Sequence, residues 1–324
     1  MSANLGPGSR VMAAMTPSTS ARLALAALFT AALGCGHGGD ASAVDAPGVD
    51  AACVATPVRD VAYQALPGVA PTLQALDIYP ACGAAAPAPV VIWVHGGAWA
   101  IGDKGNAMAD KVALWNGAGY AVVSVNYRLS PETGELDPGR VRHPLHAQDV
   151  ATAIAWVHDH IAEHGGDPGR IALLGHSAGA HLVALLGTDP QYLGAHSLGL
   201  ADLRCVGSFD TEAYDIPRTM QTASAMQALL LRNAFGDDPA VWAAASPIGH
   251  VAAGVPPFLV VRRGAADRQA TEQAFHDRLR AVGGVSTLID AAALTHEEVN
   301  DHIGAPGDQV MTAPIVAFLE GCLR

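Results

Sequence analysis

Ile171-Ala172-Leu173-Leu174-Gly175-His176-Ser177-Ala178-Gly179 joins an apolar run to a Gly-x-Ser-x-Gly pentapeptide. The apolar residues suit a buried strand, and the small residues after them suit a sharp turn into a helix. Such a turn would lift Ser177 clear of the strand end. Gly175 and Gly179 lack a Cβ, so they tolerate the close backbone approach the turn demands. A helix starting near Ala178 leaves its first N–H groups without intrahelical partners, at a place where negative charge can be held. The pentapeptide alone is a weak signal. Its position after a strand, and its partners elsewhere in the chain, strengthen it.

Upstream, Val90-Val91-Ile92-Trp93-Val94 reads as a second buried strand, and it runs into His95-Gly96-Gly97-Ala98-Trp99. Acyl transfer builds negative charge on the substrate carbonyl oxygen, and preorganised backbone N–H donors stabilise it. Gly96, Gly97 and Ala178 are expected to supply those donors. His95 is expected to hold the loop rather than act as a base, and Trp99 to form a wall of the substrate pocket.

A serine hydroxyl is a weak nucleophile and needs a histidine base oriented by a carboxylate. Downstream of Ser177, Pro257-Phe258-Leu259-Val260-Val261 leads to Arg262-Arg263-Gly264-Ala265-Ala266-Asp267. Asp267, an acid in the turn after a strand, is the expected carboxylate; its alternative role is a helix N-cap. Asp210 also ends a strand-like run, Leu203-Arg204-Cys205-Val206-Gly207-Ser208-Phe209, and is the second choice. Among later histidines, His296 in Leu294-Thr295-His296-Glu297 follows the last strand-like run, 285–290, and can return over Ser177. His302 is the fallback, and His276 falls in an expected surface helix. Asn300 stands where His-Glu-x-x-His would need its second histidine, so this stretch is no zinc motif. His158, His160 and His164 are read as a solvated helix face; no metal site is expected.

These residues resemble the α/β-hydrolase superfamily. The carriers are the His95–Trp99 loop, Asn126-Tyr127-Arg128-Leu129-Ser130-Pro131, the pentapeptide followed by Ala180-His181-Leu182, and the tail from Thr295. Within the superfamily the resemblance is to the bacterial esterase and lipase group labelled BD-FAE, near hormone-sensitive-lipase and kynurenine-formamidase-like enzymes, and it covers about 58–323. Ala98-Trp99 follows the glycine pair where the hormone-sensitive-lipase pattern has a third glycine. The resemblance implies a mostly parallel central sheet with helices on both faces. It also implies cleavage of a small-molecule carboxylic ester without a cofactor, and it favours Asp267 over Asp210. An amidase or formamidase using the same residues is the alternative enzyme, and a catalytically silent surface binding module the alternative of another class.

The 324 residues are half hydrophobic and only 15% charged, enough for a sizeable core. A net charge of −12 without clustered positive charge argues against nucleic acid or an anionic membrane surface as partner. Leu23-Ala24-Leu25-Ala26-Ala27-Leu28-Phe29-Thr30-Ala31-Ala32-Leu33 has the length of a signal-peptide apolar region and follows Arg10 and Arg22, with no acid before Asp40. It ends in Ala32-Leu33-Gly34-Cys35, which resembles a lipobox. The expected organisation is a signal peptide over 1–34 and a disordered tether over 35–52, with a catalytic domain over 53–324. Cys35 is the expected lipid anchor to the membrane, and plain cleavage to a secreted or periplasmic protein is the alternative. Met12 or Met15 would give a shorter leader.

Four further cysteines in an exported chain suggest two disulfides with three possible connectivities, of which Cys53–Cys82 and Cys205–Cys322 are preferred. Elsewhere the pattern predicts strands over 58–64 and 72–79 and a helix over 103–117. A helix with Val150, Ile154, Val157 and Ile161 on one face follows, and then a helical segment over 219–232.

Overall fold

Strands rich in Val, Ile and Leu on both faces must be covered on both sides, and that requirement dictates the architecture. The computed structural model describes residues 56–81, 83, 87–131 and 140–324. These residues fall in one unit, Val49–Arg324. The expected leader, tether and anchor residue Cys35, and both members of the Cys53–Cys82 pair, lie outside the described residues.

The strands are β1 (Val58–Ala62), β2 (Ala75–Tyr79), β3 (Ala88–Val94), β4 (Ala121–Val125), β5 (Gly166–His176), β6 (Leu203–Phe209), β7 (Phe258–Arg262) and β8 (Ser286–Asp290). They form one sheet in the order β1-β2-β4-β3-β5-β6-β7-β8. β2 runs antiparallel to β1 and β4, and the remaining pairs are parallel. This is the mostly parallel sheet of the α/β-hydrolase fold. β2 starts later than its pattern predicts, because Pro71–Gln74 forms a short 3-10 helix instead. The helix predicted from 103 begins at Ala109, since Asp103 Oδ1 accepts the Gly105 N–H in a local turn and Ala107 has a positive φ.

Alternation along β3 and β5 divides the core. Val90, Ile92, Ile171 and Leu173 pack on one side with helices Leu145–His160, Ala178–Leu186 and Ala266–Ala281. Val91, Trp93, Ala172 and Leu174 pack on the other with helices Ala109–Gly117 and Thr312–Leu323. Val150, Ile154, Val157 and Ile161 are all buried, as their spacing predicts. Burying a Val, Leu or Ile side chain contributes roughly 1.5–3 kcal/mol. On the second side, a disulfide joins Cys205 of β6 to Cys322 of the last helix, with Cα atoms 6.1 Å apart. This is one of the two expected pairs.

The parallel registers bring the C-terminal ends of β3, β5 and β6 together. Val94 lies opposite Gly175, and His176 opposite Phe209. The residues that follow these ends are His95-Gly96-Gly97, Ser177 and Asp210. Open α/β sheets bind their ligands at such an edge.

Candidate active site

Ser177 sits at the turn between β5 and helix Ala178–Leu186 with φ 57 and ψ −118. A non-glycine residue held there is strained, and such strain persists only where the surroundings fix it. A Cβ on Gly179 would lie 2.1 Å from the Val94 carbonyl oxygen, and one on Gly175 2.6 Å from that of Gly179. The Ser177 N–H donates to the Phe209 carbonyl at 3.0 Å, which ties the turn to the end of β6.

His296 opens the short helix His296–Asp301, capped by Thr295 with Glu298 bonding back reciprocally. Its Nε2 accepts the Ser177 Oγ hydrogen at 2.9 Å. Its Nδ1–H donates to Asp210 Oδ2 at 2.5 Å. The structure therefore joins Ser177, His296 and Asp210 in one hydrogen-bonded chain, and the expectation for Asp267 is corrected. Asp267 falls in the first turn of helix Ala266–Ala281, and the His296 Nδ1–H goes to Asp210 instead. It is exposed, and its Oδ1 accepts the N–H of Arg268. Asp210 instead follows β6, the strand beside β5. His302 is not in this chain; its Nδ1 lies 3.5 Å from Asp308. His276 also departs from expectation: it is buried and its Nδ1 lies 2.8 Å from Ser286 Oγ.

Asp210 is fully buried, with φ 64. Its Oδ2 also accepts Arg263 Nε, and its Oδ1 accepts Arg268 Nη2, each at 2.5 Å. Burial pushes the carboxyl up, but the His296 hydrogen bond and the charges of Arg268 and Arg263 outweigh it and hold Asp210 below the usual carboxylate range. Arg268 in turn pairs with Glu212 and, at 3.2 Å, with Glu272. Burial pushes the Glu272 carboxyl up to about 8.

Two further residues hold the histidine. His176 Nε2–H donates to the His296 carbonyl at 2.9 Å, and the two rings lie 4.5 Å apart. Burial, and then His296 itself, push the His176 imidazole well below its ordinary value, so it is a neutral donor. Lys111 Nζ donates to the Asn300 carbonyl at 2.7 Å and so fastens helix His296–Asp301 to helix Ala109–Gly117. No motif announced Arg263, Arg268 or Lys111, and His176 stands at the variable position of the pentapeptide; each acts through a contact distant in sequence.

The glycine loop closes over the serine. A Cβ on Gly96 would lie 2.9 Å from Ser177 Cβ, and Gly97 has φ 112. Among the described residues, no hydrogen bond engages the N–H of Gly96, Gly97 or Ala178. His95 holds the loop, as expected: its Nδ1–H donates to the Gly96 carbonyl, its ring stacks on Tyr127, and Tyr127 OH donates to the His95 carbonyl. Asp149 accepts the backbone N–H, Nε and Nη2 of Arg128, which anchors the 126–131 stretch. Trp99 differs from its expected role. Positive φ at Ala98 and Trp99 accompanies a ring that is buried edge-on against His181 and Phe235. It is part of the core rather than an open pocket wall. A cleft of about 300 Å³ is lined by Glu212, Thr219, Thr222, Gln227, Arg263 and Arg268, among others. It adjoins the Asp210 side of the chain, and its lining includes neither Ser177 nor His296.

Donor atoms of His176, Asp210 and His296 lie within 4.8 Å of one another, a spacing a metal ion could bridge. Asp210, however, already accepts from His296 and two guanidinium groups, whose positive charge opposes a cation there. His158 and His160 pair with Asp159 and Glu163, consistent with a solvated face.

The BD-FAE family model matches residues 76–276, more than half of the chain. Esterase LipC of Mycobacterium tuberculosis is 35% identical over 209 residues, covering 60% of this chain and 49% of LipC. The probable N-octanoylanthranilate hydrolase AqdA2 of Rhodococcus erythropolis is 39% identical over 145 residues, covering 40% of this chain and 32% of AqdA2. The chain thus spans about half or less of these curated relatives. A solved truncated form of a carbohydrate esterase from gut microbiota superposes with a TM-score of 0.68 at 22% identity, covering 85% of this chain and 99% of that one. At that identity the likeness concerns the fold.

Proposed function

The chain belongs to the BD-FAE family, and on that premise we propose that it hydrolyses carboxylic esters through Ser177, His296 and Asp210. The observation that carries this reading is the continuous path from Ser177 Oγ through both nitrogens of His296 to Asp210. Ser177 Oγ attacks the ester carbonyl as His296 Nε2 takes its proton. Asp210 stabilises the imidazolium that results. The N–H groups of Gly96, Gly97 and Ala178 hold the oxyanion. When the C–O bond breaks, His296 returns the proton to the departing alcohol. Water then attacks the acyl-Ser177 ester, with His296 again the base, and releases the acid.

Hydrolysis of p-nitrophenyl butyrate tests the reading. Ser177→Ala should lower turnover by roughly 10³-fold or more, and a fluorophosphonate should label Ser177 in the unaltered protein. Wild-type turnover in a folded Ser177→Ala variant would overturn it. One comparison favours a second reading: AqdA2 is named for hydrolysis of an N-acyl compound. A panel of N-acyl and N-formyl amines beside esters separates amide from ester preference.

We further propose export with a lipid anchor at Cys35. The apolar leader and the Cys205–Cys322 disulfide support an oxidising compartment. Cys35→Ser should release the protein from the membrane fraction. Unmodified Cys35 within the mature protein, seen by mass spectrometry, would refute the anchor.

A further inference from the structure

Asp210 receives its three side-chain donors from three places in the fold. His296 follows β8, Arg263 follows β7, and Arg268 stands in helix Ala266–Ala281. Arg263 shares Oδ2 with His296, and Arg268 takes Oδ1, the oxygen His296 leaves free. Arg268 uses a different nitrogen for each of three acids: Nη2 for Asp210, Nη1 for Glu212 and Nε for Glu272. A lysine is a point charge and cannot span three carboxylates in fixed directions. Among the described hydrogen bonds and ion pairs neither arginine meets Ser177, and neither lies in a strand.

We propose that Arg263 and Arg268 are positioning residues for the hydrolysis at Ser177: they clamp Asp210 in the orientation that meets His296 Nδ1. This inference rests on the esterase reading. Held through both of its oxygens, the carboxylate cannot rotate away from the imidazole it must meet. Among the described residues, the other charged and titratable groups around this pair are His176 at the end of β5, Lys111 in helix Ala109–Gly117, Glu212 and Tyr214 after β6, and Glu272 and Asp267 in helix Ala266–Ala281. His176 is held neutral, and Glu212 and Glu272 are engaged by Arg268, so the arginines are the cations in direct contact with Asp210.

The test measures kcat and KM for p-nitrophenyl butyrate from pH 5 to 9 in Arg263→Gln, Arg268→Gln and Arg268→Lys. Arg262→Gln is the control; it removes a comparable pair with Asp290 that does not touch Asp210. Arg268→Gln should lower kcat at least ~10-fold with KM within about threefold. Arg263→Gln should lower kcat in the same way, and Arg268→Lys should fall between Arg268→Gln and wild type. Arg262→Gln should match wild type. Should Arg268→Gln not fold, Arg263→Gln and Arg268→Lys supply the same two readouts. Folded variants with wild-type kcat would overturn the proposal. So would a KM that rises as far as kcat falls, or no recovery in Arg268→Lys over Arg268→Gln, either of which marks a merely structural role. If the wild type is inert towards esters, the esterase reading falls and takes this one with it. If it is active and dependent on Ser177 while the arginine variants match it, only the clamp falls.

Discussion

His296 Nδ1 and Asp210 Oδ2 lie 2.5 Å apart although 86 residues separate them in the chain. Adjacent strands, β5 and β6, set the places of Asp210 and of Ser177. His176 pairs with Phe209 across β5 and β6, and the Ser177 N–H is bonded to the Phe209 carbonyl. The serine and the carboxylate are therefore the next residues along two strands in register. Only the histidine must be brought in from afar, and His176 and Lys111 secure it there.

Asp210→Asn should cost about 10³–10⁴-fold in kcat, because an amide favours the wrong imidazole tautomer. Asp267→Asn should stay within about twofold of wild type, since among the described residues the Asp267 carboxylate bonds only the N–H of Arg268 in its own helical turn. Parallel ester assays of the two purified variants check this pair, and the reverse ranking would reinstate Asp267.

His296→Ala should abolish labelling by a fluorophosphonate, since Ser177 loses its proton acceptor. His302→Ala should label at close to the wild-type rate. It loses a long contact to Asp308 and leaves untouched its backbone carbonyl, which accepts Thr312 Oγ1. Its expected effect is a stability change of about 1 kcal/mol or less, read from a urea transition.

Gly179→Ala would place a methyl group 2.1 Å from one backbone oxygen and 2.7 Å from another, those of Val94 and His95. Backbone cannot rotate aside as a side chain can, so β3 and helix Ala178–Leu186 must separate. A loss of about 2–3 kcal/mol, or failure to accumulate as folded protein, is expected. Gly194→Ala, with no atom within 4 Å of the new carbon, should change the urea midpoint little.

Glu272 makes stability depend on pH. Burial raises its folded-state value from 4.5 to about 8. Between those two values the unfolded chain gives up the proton while the folded chain keeps it. The contribution of Glu272 is therefore fully present below about pH 4.5 and is lost as pH rises towards 8. Glu272→Gln removes this titration. The melting temperature of the variant relative to wild type should rise steadily from pH 5 to 8 and level off beyond; a difference constant over that range would contradict the assignment.

Signals confined to a strand and its following turn were legible in the sequence. Ser177, the Gly96-Gly97 loop and His296 each follow an apolar run, and the sheet places them where such runs end. The acid was not legible for the same reason: Asp210 and Asp267 both follow strands. What separates them is how soon the next helix begins and which side chains fill the space between. The 219–232 segment divides into Ile216–Thr222 and Ala225–Phe235 because Ser224 caps the second helix and Gln227 bonds back to it, a box visible as Ser-x-x-Gln. The sequence predicts a surface helix around His276. Whether His276 is covered, however, depends on Ser286 of the neighbouring strand.

The disulfide between Cys205 and Cys322 closes a covalent ring across a separation of 117 residues. Asp210 and His296 both lie on that ring, and Ser177 lies outside it. A protease that cuts once within the ring, for instance at the exposed Ser224–Met226 corner, opens the loop without producing a separate fragment. The carboxylate and the imidazole would remain parts of one molecule after the nick. Release would require a thiol as well as a protease, so the protein can be nicked in an oxidising medium and still hold its reacting groups together.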